Sequence, residues 1–547
     1  MIYIKSFLLV ILGSLFIGCG GGGTNSSNSS LDIDSKYSIE YKGLKFYYKN
    51  LPTSEYKLAP LTDSEFNNLS SKNKLLVANK LLSTLFFGYP QQVLNSKIDS
   101  GSFISDIQNE LKEDIIDKER VESDILDSSK FQQSTWNEQE AVNILSRLYV
   151  MDKLDKYFLH NWIAYILTQT IMFSPAYELD STHRPNITTV YNRIVNLLEE
   201  EGGMRYITYV HMSSEDNWRR FRSPEDNGRE MLEIFLLDQN DTHVPIAGKA
   251  LQNWKLDRDS DTLVVGLNQN RKPLKLFGTT IYNGDDFYRE LVKSKLFING
   301  VTSRLVDFFF PNFSTKEKNS VKNNIISSNP ETWQDILLQI VFSKKYLLNN
   351  YRAKSAEETF FSLAKKIDFQ HRVGTFHELK NSLEDMHQAT MKYKLGKIQR
   401  VPLDTLSFIN YYKYIREKVL LRESNPDKID DYEAWDRQGW SINFIKNDGI
   451  DYDNKTNKES LIAFINYIFK TTIYREATKE EMQMFLNLML KGDSGREEFT
   501  CCFNMFEEDD DPQKEIKKRL DSKSRITKLV LEYIARLDDT FVQKEVK

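Results

Sequence analysis

The sequence predicts a mainly α-helical protein, a multi-helix globular body with a minor β hairpin or small sheet. Apolar residues recur at helical spacing along most of the chain, and several segments open with helix-capping signals. Glycine and proline are sparse, with 23 and 13 in 547 residues. So few turn-forming residues argue against an architecture of many short strands.

The composition excludes several classes of function. The hydrophobic share of 40% is enough for a large core, and the charged share of 28% is near the roughly 25% of average soluble proteins. The net charge is −5 and basic residues are interspersed with acids, so we expect no nucleic-acid partner. Neither a P-loop nor a G-x-S-x-G elbow occurs. We therefore expect no cofactor and identify no nucleophile.

The N-terminus has the pattern of an export signal. Residues 1–18 carry one early charge, Lys5, and an apolar run from Phe7 to Ile17 that is short for a membrane-spanning helix. The segment Leu15-Phe16-Ile17-Gly18-Cys19 resembles the lipobox of bacterial lipoproteins. That resemblance implies cleavage before Cys19 and acylation of its sulfur by lipid such as palmitate. The alternative is an ordinary secretory signal that a cysteine follows by chance.

Residues 19–36 predict a lipidated cysteine followed by a flexible tether. From Gly20 to Ser30 the chain contains only Gly, Ser, Asn and Thr, a composition typical of linkers. Two or more acyl chains would hold the protein firmly on a membrane. Gly20 is not the aspartate that retains some lipoproteins in the inner membrane. We therefore expect a bacterial envelope protein on the outer membrane, at its periplasmic face or at the cell surface.

The remaining chain predicts two helical regions. Residues 37–350 are expected to form a helical body with minor β structure, and residues 351–547 a C-terminal helical region. Capping boxes open helices at Thr62, Ser355 and Thr478. We predict a hairpin at 37–48 and strands at 262–267 and 274–281. In chain order, helical periodicity covers residues 75–85, 104–130, 138–173, 187–201, 223–236, 244–254, 287–310, 333–348, 355–368, 377–395, 404–422, 458–473, 478–491 and 513–538.

One polar cluster is a candidate site. Ser223 and Pro224 begin an amphipathic helix that carries Glu225, Arg229 and Glu230. His160, followed by Asn161, interrupts a strongly apolar helix, and buried polar groups need partners. We expect the carboxylates after Pro224 to be those partners. The four charged candidates, His160, Glu225, Arg229 and Glu230, could form an acid–base site; alternatively, His160 belongs to a structural hydrogen-bond network.

Other polar groups suggest weaker hypotheses. Arg229 could orient a phosphate or sulfate, or simply pair with acids one turn away along its helix. The alternating acids Asp257, Asp259 and Asp261 resemble part of a calcium loop but lack its central glycine and distal glutamate. We otherwise expect no metal site. Cys501 and Cys502 are adjacent and predict two half-buried thiols, or else a strained redox-active pair.

Several segments together resemble a bacterial exported family catalogued as domain of unknown function 1800. Ala78–Gly88 resembles its opening leucine-rich helix ending in Phe-Gly, and Phe158–Ile163 its Phe-Trp-His-Asn-His-Phe stretch. Glu225–Phe235 resembles its Glu-Asn-x-Ala-Arg-Glu-Leu-Met-Glu-Leu-Phe helix. Residues 247–254 and 275–278 resemble later family segments. Trp162 stands where the family has its second histidine. The resemblance implies a mainly helical, exported protein and no particular chemistry.

We therefore expect an envelope scaffold or accessory binding protein whose partner is another exported protein or a surface polymer. Its membrane contact would be the lipid at Cys19. The absence of a nucleophile or metal motif inclines us against an enzyme. The alternatives are an envelope hydrolase that uses the His/carboxylate/Arg cluster, and a calcium- or glycan-binding module.

Overall fold

The computed structural model leaves the predicted signal and tether, residues 1–36, outside the part of the chain that it describes. The described residues are 38–41, 44–47, 55–114, 118–119, 121, 136–172, 187–257, 259–260, 262–266, 270, 272–371, 373–386, 405–424, 439–446, 448–492, 498–500 and 502–546.

The fold is mainly α-helical, as predicted: 64% of the described residues are helical, and the strands among them form only short antiparallel pairs. In the described part of the chain, no helix combines the length and the apolar character that crossing a membrane requires.

Two small hairpins occur in the chain among the first fourteen described helices. Helices α1 to α14 are Asp63–Asn67, Ser71–Thr84, Gln91–Asp99, Phe103–Glu110, Trp136–Val150, Lys156–Thr170, Ile187–Glu199, Met204–Met212, Glu215–Arg220, Pro224–Leu236, Val244–Ala250, Gly284–Lys293, Lys295–Phe309 and Thr315–Ser327. The hairpins between α11 and α12 pair β3 (Trp254–Leu256) with β4 (Leu263–Val265), and β5 (Leu274–Leu276) with β6 (Thr279–Ile281).

The later described helices, α15 to α24, are Trp333–Val341, Lys344–Asn349, Ala356–Lys366, Val373–Asp385, Thr405–Tyr414, Asn443–Lys446, Asn457–Ile473, Lys479–Met489, Pro512–Ile534 and Asp538–Phe541. A π-helical turn, Ile415–Leu420, continues α19. The remaining strands, β1, β2 and β7 to β12, are Ser38–Tyr41, Leu44–Tyr47, Arg352–Ala353, Phe369–Gln370, Gly439–Trp440, Leu490–Lys491, Glu498–Phe499 and Val542–Gln543.

The predicted helix starts are confirmed at atomic detail. At Thr62, Ser355 and Thr478 the side chain accepts from the third helical N–H, and the glutamate at that position accepts from the cap N–H. These reciprocal bonds satisfy backbone donors that have no partner within the helix. Ser314, Thr332 and Thr456 begin three further capping boxes.

Local chemistry explains where the elements depart from the predicted bounds. The hairpin at 37–48 is confirmed as β1 and β2. The predicted strand 274–281 is instead a complete hairpin, because Phe277 and Gly278 turn the chain with φ of 50° and 83°. The predicted helix 287–310 is two helices, since the Ser294 Oγ accepts from the N–H of Leu296 and restarts the helix.

The buried core is continuous across residue 350. Its side chains come from helices between α1 and α24. Hydrogen bonds also cross this position: Gln543 Nε2 donates to Thr84 Oγ1 at 3.1 Å, and Tyr165 Oη donates to Glu357 Oε1 at 2.6 Å. The division at 350/351 stays a prediction, and the two regions are in extensive contact.

Glycine allows three helices to approach closely around α10. A Cβ on Gly300 of α13 would lie 2.2 Å from the carbonyl oxygen of Phe235 in α10. A Cβ on Gly228 of α10 would lie 2.6 Å from the Cβ of Ala247 in α11. Side chains at either position would force the helix backbones apart, so the spacing of α10 depends on these glycines.

We expect Gly300→Ala to lower the free energy of unfolding by about 2 kcal/mol, because the obstacle is backbone and cannot rotate away. Chemical denaturation with urea would measure the change. Gly248→Ala in α11 is the matched control. Its Cβ would meet its nearest atom, Glu225 Cα, only at 3.3 Å, so its effect should be much smaller. Equal stability of both variants would contradict this packing.

Candidate functional site

Helix α10 begins as the sequence predicts. The Ser223 Oγ accepts from the N–H of Asp226 at 3.1 Å, and Pro224 occupies the first turn. Met231, Leu232 and Phe235 are buried on its apolar face. The predicted amphipathic start of this helix is confirmed.

The buried polar side chain of α10 is an amide that the sequence analysis missed. Asn227 is fully buried, and its Oδ1 accepts from the Tyr288 hydroxyl at 2.7 Å. The Tyr288 oxygen in turn accepts from the Trp218 Nε1–H at 3.0 Å. Burial raises the pKa of Tyr288 well above its usual value, so this hydroxyl stays protonated. Asn227 therefore connects α10 to α9 and α12 through neutral hydrogen bonds.

The polar pair in α6 finds a different partner from the one predicted. Asn161 Oδ1 accepts from the Tyr191 hydroxyl of α7 at 2.7 Å, and Asn161 Nδ2 donates to the Tyr157 carbonyl at 2.8 Å. The expected pairing of Asn161 with the carboxylates after Pro224 is therefore wrong. Helix α13 packs against both α6 and α10.

His160 is a buried, neutral imidazole. Burial lowers its pKa to about 4, and the cations Lys156 and Lys118 contribute to the shift. Within the described residues, no hydrogen bond or ion pair joins His160 to Glu225 or Glu230, and its Nδ1 has no hydrogen-bond partner there. The carboxylates expected to act with His160 thus do not contact it.

The charged residues of α10 lie toward solvent. Glu225 is exposed and Glu230 is half-buried. Arg229 Nη1 lies 3.9 Å from Glu233 Oε1 and 3.5 Å from Asp241 Oδ1. Burial raises the pKa of Glu230, and the neighbouring Glu233 carboxylate adds to the effect. This geometry matches the simpler hypothesis of intrahelical pairing, and Arg229, Glu225 and Glu230 form no common site with His160.

The acids after β3 form a turn. Asp257 Oδ1 accepts from the N–H groups of Asp259 and Ser260 at 3.0 and 2.9 Å, and these bonds lower the pKa of Asp257. This is the usual way in which aspartate closes a tight turn. Asp261 lies outside the described residues, among which no group of three His, Cys, Asp or Glu could hold a metal ion. Cys19 and Cys501 also lie outside, and Cys502 is exposed.

A concave surface lies elsewhere, between α2, α5 and α17. It is a cleft of about 440 Å³, which is large enough for a small-molecule ligand. We call it the aromatic cleft. Its lining residues are Phe87, Gly88, Tyr89, Pro90, Tyr149, Val150, Asp152, Ala364, Lys365, Asp368, Phe369, Gln370 and His371.

One wall of the aromatic cleft is the turn that ends α2. Phe86 adopts a left-handed conformation with φ of 56°, and the Phe87 N–H donates to the Leu82 carbonyl at 2.8 Å, which closes the helix end. A Cβ on Gly88 would lie 2.4 Å from the Ser362 carbonyl oxygen of α17. Glycine is therefore required for this turn to lie directly against α17.

Aromatic side chains of the cleft are held in fixed orientations. Tyr149 Oη donates to the Phe369 carbonyl at 2.6 Å, and Tyr89 Oη donates to Glu110 Oε2 at 2.7 Å. Burial raises the pKa of both phenols, so both remain protonated donors. The His371 ring lies edge-on to the Tyr149 ring, with centroids 5.2 Å apart. Of the aromatic residues that line the cleft, Tyr89 and His371 are half-buried, whereas Phe87, Tyr149 and Phe369 are buried.

The polar groups of the cleft give it an acidic rim. Asp152, Asp368 and Gln370 are exposed. The Lys365 ammonium donates to the Met151 carbonyl and lies over the rings of Phe87 and Tyr149, at 4.9 and 5.5 Å from their centroids. Two carboxylates, those of Asp152 and Asp368, thus lie beside one ammonium group in the lining of the cleft.

The sequence analysis recognised Phe87 and Gly88 only as the end of a leucine-rich helix that resembles a family segment. Asp152 follows the end of α5, and Asp368 follows the end of α17 with φ of 48°. The sequence did offer one signal for these cleft residues: they are polar and lie in short connections that follow apolar helices. Loops supported by rigid elements commonly carry binding groups. Only the tertiary fold brings these distant connections together.

Comparison with known proteins finds no match to the chain: no family model, no curated protein and no solved structure matches it.

We expect His160 to make the free energy of unfolding depend on pH. Its pKa is about 4 in the folded protein against an ordinary value of 6.5, so the unfolded chain binds the proton first as pH falls. Stability should decrease below about pH 6.5, and His160 should account for about 2 kcal/mol of loss between pH 7 and pH 5.

Urea unfolding of the native protein and of His160→Gln at both pH values would measure this contribution. The variant should lose less stability on acidification. His211→Gln provides a matched comparison, since burial lowers the pKa of His211 to about 3. An unchanged acid dependence in His160→Gln would show that the imidazole has the same pKa in the folded protein as in the unfolded chain.

Proposed function

We propose that the protein is a lipid-anchored bacterial envelope protein that acts as an accessory binding protein, and that its aromatic cleft takes a segment of a surface polymer. The feature that supports this proposal is the cleft itself, where fixed aromatic rings lie beside exposed hydrogen-bonding groups. Sugars present apolar C–H faces and hydroxyl edges, and both kinds of surface have counterparts there.

The charge of the rim narrows the choice of polymer. Asp152 and Asp368 repel polyanions, while Lys365 is engaged with the wall. A neutral glycan, or one that carries free amines, is therefore a better ligand than a uronate or phosphate polymer. The hydrolase alternative has less support, because its histidine and carboxylates are not in contact.

The location rests on the N-terminal pattern and on family resemblance. The lipobox-like run ending at Cys19 and the linker after it support an anchored protein whose body stands off the outer membrane. The resemblance of Ala78–Gly88, Phe158–Ile163 and Glu225–Phe235 to the family domain of unknown function 1800 supports export. The partner remains either the polymer alone or the polymer together with another exported protein.

We expect Cys19→Ser to abolish acylation and to release the protein from membranes. Metabolic labelling with a palmitate analogue, followed by membrane fractionation of cells that express the full chain, would measure both effects. Cys502→Ser is the matched control because this exposed thiol lies on the folded body. Labelling that persists in Cys19→Ser would contradict lipidation at this cysteine.

We expect Asp368→Asn and Asp152→Asn each to weaken binding of an amine-bearing glycan by about tenfold, or about 1.4 kcal/mol, because each removes an attractive charge at the rim. Calorimetric titration with a glucosamine oligomer, its N-acetylated form and a uronate oligomer would test this. Asp453→Asn changes an exposed acid that does not line the cleft and should leave affinity unchanged.

The N-acetylated oligomer should bind equally to all variants, since it lacks the amine charge. Preferential binding of the uronate oligomer, or binding of the amine-bearing oligomer that none of the cleft variants alters, would overturn the proposal.

A further inference from the structure

A second, much smaller cavity lies inside the protein on the other side of α17. Its volume is about 10 Å³, and every residue that lines it is buried. Its polar lining residues are Lys354, Thr359, Ser362, Lys366, Thr472 and Thr540. Space of this size holds one water-sized particle and excludes polyatomic ions such as phosphate.

Two lysines line this cavity without a carboxylate partner. Lys354 Nζ donates to the Asp539 carbonyl at 3.2 Å. Lys366 Nζ donates to Asn79 Oδ1 at 3.2 Å and to the Thr472 carbonyl at 3.4 Å. Among the described residues, no carboxylate oxygen forms a salt bridge with either ammonium group. Buried ammonium groups are costly unless a negative charge compensates them.

Among the buried cations of the described part of the chain, Arg352 has such compensation, whereas Lys80 bonds only to backbone carbonyls. Arg352 forms a two-pronged pair with Glu358, and Arg475 pairs with both Glu481 and Asp539. Lys354 and Lys366, whose cavity we call the lysine cavity, lack such an ion pair within the described residues. Burial lowers the pKa of Lys354 to about 8, although the nearby carboxylates of Glu358 and Asp539 act in the opposite direction. Burial also lowers the pKa of Lys366 well below its usual value, and the charge of Lys354 adds to that shift.

The Ser362 hydroxyl is a third hydrogen-bond donor in the lining of this cavity. Ser362 is 3% exposed, and its Oγ has no hydrogen-bond partner within the described residues. A buried hydroxyl without a partner costs about 1–3 kcal/mol in general, so native proteins usually satisfy it. Ser362 and Lys366 lie one helical turn apart on α17 and line the same cavity. The cavity is therefore rich in donors.

We propose that this cavity is a binding site for one monatomic anion of the chloride class, held by Lys354, Lys366 and the Ser362 hydroxyl. The anion accepts hydrogen bonds from all three groups and supplies the negative charge that Glu358 supplies to Arg352. It joins α17 to residues near the ends of α21 and α24, so its binding stabilises the contact between these elements.

The test is thermal unfolding of the folded protein at constant ionic strength while chloride replaces gluconate, which is too large for the cavity. We expect the melting temperature to rise by roughly 2 °C when chloride reaches about a hundred times its dissociation constant. Ser362→Ala should keep the fold and reduce this chloride dependence, and Lys366→Met should abolish it.

Lys80→Met is the matched control. Lys80 is also buried, with its Nζ 2.8 Å from the Asn350 carbonyl, but it does not line this cavity. It should lower the melting temperature and leave the chloride-dependent rise intact. Diffraction from crystals soaked in bromide should show an anomalous peak between Lys354 and Lys366.

A melting temperature that does not respond to chloride in the native protein, or that responds equally in Lys366→Met, would overturn the proposal and indicate water beside neutral amines. Neither result bears on glycan binding at the aromatic cleft, which involves different residues.

Discussion

The buried ion pair between Arg352 and Glu358 holds together segments from the start, the middle and the end of the chain. Arg352 is 4% exposed and Glu358 5%, and Arg352 also donates to the Tyr346 hydroxyl at 2.5 Å. Tyr346 bonds to Thr84 at the end of α2 and to Gln543 of β12, which itself donates to Thr84 at 3.1 Å. Loss of either charge would leave the other buried and unpaired, at a typical cost of about 3–5 kcal/mol. The network therefore fixes how three distant segments meet.

Helix α17 extends this constraint to both proposed sites. Glu358 accepts from the N–H of Ser355 in the capping box and so begins the helix at the ion pair. Lys365, ten residues after Ser355, lines the aromatic cleft, and the next residue, Lys366, lines the lysine cavity. Gly88 brings the turn after α2 directly against the same helix. A single rigid helix thus sets the wall of the open cleft and the donors of the closed cavity.

Local features of the fold were predictable and the pairing of polar groups was not. The caps at Thr62, Ser223 and Thr478 depend on residues three apart, which the sequence displays directly. The expected pairing of the His160–Asn161 segment with the carboxylates of α10 was wrong, because a buried amide binds whichever donor packing brings near. Tyr191 reaches Asn161, while Asn227 of α10 uses Tyr288. Helical periodicity predicts which face is buried and leaves open what it is buried against.

By itself the sequence determined the helical class, the positions of most helix starts and the hairpin at β1 and β2, since these follow from interactions within a few residues. The tertiary structure decided that Tyr89, Tyr149 and Asp368 share one cleft and that Lys354 and Lys366 share one cavity. Tyr89, Tyr149 and Asp368 are far apart in the chain, and only long-range packing of α2, α5 and α17 brings them together. A hydrogen bond between residues far apart in the chain forms only where the fold brings donor and acceptor within a few Ångströms. A local sequence pattern therefore cannot predict it.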